Sequence, residues 1–195
     1  AQMIKLGVEY EYLFGVVGNP FAWTRGMAVG EIGHLLSTIS MMKEIIEKKY
    51  NTVLLLEDDA EFVDINNFDF NFYECWQQIK NDWEMVYLGC NSNELSPTGK
   101  KNHLISKNVM SSLFSLTTSS YAITLEAAKK IKEELEGPPD KHWNEWVSKA
   151  TDMYLALMQD RSDLRGYAIY PSLIGQSDGF SNIQECYVSY KELIK

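Results

Sequence analysis

The sequence predicts an α/β fold, a sheet of short buried strands layered by amphipathic helices. Three observations lead there. Short runs at 53–56, 85–88, 120–123 and 167–170 are rich in aliphatic and aromatic residues and too brief for helices of their own. Between them lie stretches with apolar residues at helical spacing, and helices alternating with buried strands make a layered sheet. Directly after the most apolar run stands an acid triplet, Glu57-Asp58-Asp59, where the carboxyl ends of strands in such sheets face a ligand.

The elements follow in order. Residues 33–50 carry Leu35, Leu36, Ile39, Met42, Ile45 and Ile46 on one helical face, with Lys43, Lys48 and Lys49 elsewhere. The aliphatic run 53–56 reads as a strand buried on both faces. Asp64, Asp69 and Glu74 then recur among Phe62, Phe68, Phe70 and Phe72, which we read as a loop over aromatic anchors and not as a second metal site. An EF-hand is not indicated, because 58–69 lacks the central Gly and the terminal Glu. The run 85–88 is a second strand, closed by Gly89. From 91 to 118 the chain is polar and aperiodic, a substrate loop or lid anchored at both ends by strands. Residues 120–123 form a third strand, and Thr124 caps a helix that carries Leu125, Ala128, Ile131 and Leu135 and stops at Gly137-Pro138-Pro139. Trp143 and Trp146 read as core packing of a further helix, with a sugar-stacking platform as the alternative. Thr151 caps a helix running through 157, and 167–170 is a fourth strand. Tyr87 and Tyr121 are expected in the core.

Bulk properties bound the function. A chain of 195 residues with 45% hydrophobic and 23% charged residues is expected to form one globular domain over 1–195. The net charge of −9 argues against a nucleic-acid surface. Cys75, Cys90 and Cys186 are odd in number and widely spaced, so a zinc site or disulfide framework is not indicated and a reducing, cytoplasmic setting is expected. No apolar run has the length of a membrane span. The chain begins abruptly at Ala1-Gln2-Met3, as though a segment upstream were missing.

Crowded carboxylates raise one another's pKa unless a cation or hydrogen bonds offset the repulsion. Alternation along an extended segment puts Glu57 and Asp59 on one side and Asp58 on the other. Two hard oxygen ligands suit Mg²⁺ or Mn²⁺, which bind through one or two carboxylates plus substrate phosphates. A solvated turn is the alternative that the triplet alone leaves open.

The surrounding residues resemble glycosyltransferase family 25, which includes bacterial lipopolysaccharide sugar transferases and procollagen galactosyltransferases. The similar segments are Gly30-Glu31-Ile32-Gly33-His34-Leu35-Leu36-Ser37, Leu54-Leu55-Leu56-Glu57-Asp58-Asp59-Ala60, Val86-Tyr87-Leu88-Gly89, Ser120-Tyr121-Ala122-Ile123-Thr124, Asp152 before Met153-Tyr154-Leu155, and Tyr170-Pro171-Ser172-Leu173-Ile174-Gly175-Gln176 before Ser181-Asn182-Ile183. The resemblance implies a GT-A (Rossmann-like) fold with a mixed sheet. It also implies a UDP-hexose donor, a galactose or glucose unit moved with inversion to a hydroxyl of a glycan or protein acceptor, and Mn²⁺ (or Mg²⁺) as cofactor. It places Glu57 and Asp59 at the metal, and Glu57, Asp58, Gly18, Asn19 and Gln176 around the donor. Asp152 becomes the candidate catalytic base, where the residues alone favour an ordinary acid at a helix N-terminus. Glu31 falls in the opening turn of the family's helix. Three departures stand out: His34 and Thr38 replace the family's usual Cys and His, Asn182 replaces an acid, and the usual first strand has no counterpart before Ala1. The rival expectation is therefore a catalytically inactive sugar-binding or scaffold module of the same fold.

Overall fold

The computed structural model describes residues 11, 13, 15, 29–92, 95–136, 150–181 and 186–189. Gly18, Asn19, Trp143, Trp146, Asn182, the Gly137-Pro138-Pro139 stop and the anticipated first strand lie outside the described residues. Four helices, α1 (Val29–Lys48), α2 (Phe68–Trp76), α3 (Leu125–Glu136) and α4 (Thr151–Asp160), accompany ten strands. These are β1 (Thr52–Leu56), β2 (Ala60–Phe62), β3 (Met85–Asn91), β4 (His103–Leu104), β5 (Val109–Ser112), β6 (Leu116–Thr124), β7 (Gly166–Ile169), β8 (Ile174–Gln176), β9 (Gly179–Ser181) and β10 (Cys186–Val188).

Six strands form one mixed sheet in the order β1-β6-β3-β7-β5-β4. Both β1 and β3 run antiparallel to β6, and β3 runs parallel to β7. The carboxyl ends of β1, β3 and β7 therefore share one sheet edge, where ligands of open α/β sheets bind. This is the mixed, GT-A-like arrangement expected from the sequence. Two ribbons, β2 with β8 and β9 with β10, complete the strands.

Period-two alternation sorts the core into two layers. Met85, Tyr87, Tyr121 and Ile123 face one side and pack with Met42, Ile45, Ile131 and Leu155 of α1, α3 and α4. Val86, Leu88 and Ala122 face the other and pack with Phe62, Cys75, Ile79 and Ile174. Tyr87 and Tyr121 are buried as anticipated. The Thr124 hydroxyl accepts the Ala127 amide, capping α3 at the place the sequence indicated.

Four expectations need correction. Strand β1 is not buried on both faces: Thr52 and Leu54 are exposed, and β6 is its only neighbour among the described residues. The segment after the acids is not a loop but contains α2, whose Phe68, Phe72 and Trp76 recur every four residues on one face. An aromatic ladder from Phe62 through Phe68, Phe72 and Trp76 to Trp83, with centroids 4.7 to 5.8 Å apart, fixes that helix to the sheet. Residues 91–118 are not an unstructured lid, for they supply β4 and β5 to the sheet edge. Lastly, Thr151 does not cap α4; it is the first helical residue and Ala150 holds the cap position.

Buried hydrogen bonds replace the apolar periodicity that 91–118 lacks. The Asn102 amide donates to the Ser92 and Phe114 carbonyls and accepts the Leu113 and Phe114 amides. Ser112 donates to Gln159 Oε1, and Gln159 Nε2 donates to the Tyr87 hydroxyl at 3.0 Å. Thr98 and Lys100 close on Asp160 at the end of α4. Satisfied networks of this kind specify one packing, whereas a partly satisfied one is costly.

Gly89 permits a close approach of two strands. A Cβ there would stand 1.7 Å from the Ile174 carbonyl oxygen, so β8 crosses β3 only over a residue without a side chain. Gly89→Ala should cost about 3 kcal/mol or more, read as a drop in urea midpoint. Gln159→Leu removes one of the two partners of each of the Tyr87 and Ser112 hydroxyls, which keep Ser115, and should cost about 1 kcal/mol; an unchanged midpoint would show that the Gln159 bonds contribute no stability.

Candidate donor and metal site

Strand β1 delivers Glu57 to the carboxyl edge, and a tight turn follows, closed by the Ala60 amide donating to the Glu57 carbonyl. The expected alternation along an extended segment is thus not what pairs the acids. The turn does so, directing Glu57 and Asp59 to one side and leaving Asp58 exposed. Register in the β2–β8 ribbon sets Ala60 opposite Gln176, which brings the Gln176 side chain against both acids. Its Nε2 donates to Glu57 Oε2 at 3.1 Å and to Asp59 Oδ2 and Oδ1 at 3.2 and 3.4 Å. Three carboxylate oxygens converge on one nitrogen.

Two further contacts fix Glu57. Thr118 Oγ1 donates to Glu57 Oε1 at 2.6 Å, and His34 Nε2 lies 3.3 Å from the same oxygen. Burial works to raise the Glu57 pKa, but the His34 and Thr118 hydrogen bonds and the His34 charge bring it below the ordinary value. Burial likewise works to lower the His34 pKa, and the hydrogen bond and charge of Glu57, with the charge of Asp152, raise it above the usual range. Asp59 goes the other way: partial burial and then the Glu57 charge lift its pKa, only partly offset by Gln176. One carboxylate is therefore compensated and the other is short of positive charge.

Asp152 sits in the first turn of α4. Its Oδ2 accepts the Thr117 amide at 3.1 Å and its Oδ1 the Met153 amide at 2.8 Å. Thr117 has φ +67°, an uncommon conformation for a β-branched residue. Its hydroxyl also accepts the Asn91 amide. Consecutive residues Thr117 and Thr118 thus tie Asp152 and Glu57 to the same end of β6. Glu31 lies in the first turn of α1, and exposed His103 is placed on β4.

His34 and Thr118 were not assigned to the site from the sequence. His34 had a usable signal, since it stands in the Gly30-Glu31-Ile32-Gly33-His34 segment one turn into α1. Thr118 had none, because only the antiparallel register of β1 and β6 brings it beside Glu57.

A divalent cation is compatible with this donor set. The acid oxygens already converge on a single point, Asp59 lacks a full counter-charge, and Gln176 Oε1 is buried with no hydrogen-bond partner, a further hard oxygen. Among the described residues no group of three or more His, Cys, Asp or Glu side chains gathers at one point. A cation here would complete its shell with phosphate and water oxygens, as Mg²⁺-type ions commonly do.

The pKa shifts set the pH dependence of stability. His34, raised on folding, contributes fully below its unfolded value of about 6.5 and loses that contribution as pH rises through its folded pKa. Glu57, lowered on folding, contributes above its unfolded value and loses it as pH falls through its folded pKa. The metal-free chain should therefore melt higher near pH 6 than near pH 8, and His34→Gln should flatten that difference in a thermal melt. An equal slope in both proteins would contradict the pairing.

Comparisons with known proteins bear on the family of this chain. A family model described as glycosyltransferase family 25 (LPS biosynthesis protein) matches residues 18–143, which include the acid triplet and His34 but not Asp152 or Gln176. Procollagen galactosyltransferase 2 of Mus musculus is 31% identical over 116 residues, 58% of this chain and 18% of that protein. Procollagen galactosyltransferase 1 of Danio rerio is 27% identical over 158 residues, 77% of this chain and 26% of that protein. Probable inactive glycosyltransferase 25 family member 3 of Bos taurus is 26% identical over 113 residues, 55% of this chain and 18% of that protein. The chain thus spans about a fifth to a quarter of the length of these relatives. With the family model covering well over half of its residues, the chain belongs to glycosyltransferase family 25.

Proposed function

We propose that the chain is the donor-binding, catalytic part of a metal-dependent glycosyltransferase that moves a hexose, galactose or glucose, from a UDP-sugar to a hydroxyl of a glycan or protein. The convergence of Glu57, Asp59 and Gln176 at the carboxyl edge of the sheet carries this reading. Glu57 and Asp59 would hold Mn²⁺ or Mg²⁺, whose chemistry is to offset the negative charge that grows on the departing diphosphate. His34 and Thr118 keep Glu57 ionised and fixed in orientation, an outer-shell role that supports a ligand. Gln176 turns its amide toward the donor once the acids have a stronger partner. Gly18, Asn19 and Asp58 are proposed donor contacts from the family resemblance.

Asp152 is proposed as the base that takes the acceptor proton, because its charge acts on His34, the partner of Glu57, and inversion needs a base opposite the leaving group. Both its oxygens already accept a backbone amide, so its orientation is set in advance. The similarity to a relative named as inactive favours one second reading, a sugar-binding or scaffold module of the same fold.

UDP-galactose and UDP-glucose hydrolysis in Mn²⁺ tests the two readings. The catalytic reading expects UDP release, lowered at least about a hundredfold by Asp59→Ala and about 10–100-fold by Gln176→Ala; folded protein that neither hydrolyses nor binds UDP with Mn²⁺ would favour the module. A separate signature is expected of Asp59→Asn. Removing the crowded charge should raise the melting temperature of the metal-free chain while abolishing the added stability given by Mn²⁺ with UDP, whereas a merely structural carboxylate would give a lower melting point.

A further inference from the structure

We infer that a cavity beyond the acid pair, on the same sheet edge, binds a hexose ring of the acceptor. The cavity measures about 390 Å³ and is walled by α2 and by the segments around Val63, Lys107 and Ser172, at the small end of ligand pockets (about 300–1,000 Å³). The β2–β8 ribbon joins it to the acid pair. At one end of that ribbon Ala60 pairs with Gln176, and at the other Phe62 pairs with Ile174, with Val63 and Leu173 of the cavity wall immediately beyond. Three residues of strand separate the two by roughly 10 Å.

The lining has the two-sided chemistry that a sugar ring presents. Phe70 is 67% exposed and Val63 is 68% exposed, an apolar wall open to solvent inside a concavity. Around it stand Asn71, Glu74 and Lys107, which make no side-chain hydrogen bond or ion pair among the described residues and together offer donors and acceptors. Asp64 is committed elsewhere, accepting the Asn66 and Asn67 amides and the Asn67 side chain. An aromatic face meets the C–H face of a pyranose, and the mixed polar rim meets its hydroxyls. Two carboxylates against one lysine disfavour a phosphate. An extended peptide, which docks by pairing with free backbone, finds the nearby backbone already paired, Val63 with Leu173 and Tyr170 with Asn108.

That this sugar is the acceptor's rests on the glycosyltransferase reading, while its binding does not. The test is saturation-transfer NMR on the full chain with methyl β-galactoside, methyl β-glucoside and their disaccharides, without nucleotide, and with thermal shift by UDP and Mn²⁺ measured in parallel. We expect millimolar binding of a saccharide that UDP with Mn²⁺ does not displace, weakened at least fivefold by Phe70→Ala, retained by Phe70→Tyr and reduced by Glu74→Gln. Because Phe70 is exposed, its loss should leave the melting temperature unchanged. No saccharide binding, equal binding by Phe70→Ala and Glu74→Gln, displacement by UDP with Mn²⁺, or binding of an unglycosylated lysine-containing peptide at Phe70 instead would each overturn the assignment. A UDP–Mn²⁺ shift without saccharide binding would sink this site and leave the transferase reading standing, and the reverse pattern would do the opposite.

Discussion

Two carboxylates held against one amide are the constraint around which the rest of this structure is arranged. Glu57 and Asp59 repel each other, and the fold compensates only one of them: His34 and Thr118 attend Glu57, while Asp59 shares a single amide with its neighbour. A site built for stability alone would pair both charges or replace one by a neutral group. Keeping an uncompensated carboxylate beside an ionised one stores an affinity for positive charge, at a cost that the surrounding core must cover.

The supporting structure can be followed outward from that pair. Gln176 reaches the acids because β8 pairs with β2 in a fixed register, and β8 lies where it does because Gly89 lets the Ile174 backbone rest on β3. Thr118 reaches Glu57 because β1 and β6 are antiparallel neighbours, with the Glu57 amide itself donating to Ser119. Asp152 is tied to the same end of β6 through Thr117, and α4 is anchored at its far end by Gln159, in the buried network around Tyr87, and by Asp160, which Thr98 and Lys100 meet. Each of these is a long-range pairing, so displacement of one strand would be felt directly at the acids. No helix among the described residues is long and apolar enough to cross a membrane.

Much of this was readable from residue order. The apolar runs located the central strands, the 3.6-residue period located α1 and α3, and Thr124 marked a real cap. The acid pair was legible because so apolar a strand ends so abruptly in charge. What failed had physical causes. Strands β4 and β5 are short, polar and held by Asn102 and serine hydroxyls, so no hydrophobic period announced them. Helix α2 was hidden by acids, although Phe68, Phe72 and Trp76 carried its spacing. Burial of β1 was overstated because a wholly aliphatic run does not reveal that its strand has one neighbour among the described residues. Thr118 entered the site only through the register of β1 and β6, and local sequence contains no record of a partner far away in the chain; the segment around His34 carried a signal that went unused.

The central claim is that Glu57 and Asp59 together grip one divalent cation that carries the donor's diphosphate. Mn²⁺ electron paramagnetic resonance reads this directly, because the six-line signal of the free ion loses amplitude on binding. With UDP present, the account predicts that wild-type chain removes one equivalent of free Mn²⁺ and that Asp59→Ala removes no more than UDP does alone. Equal loss of signal in the two proteins would contradict it.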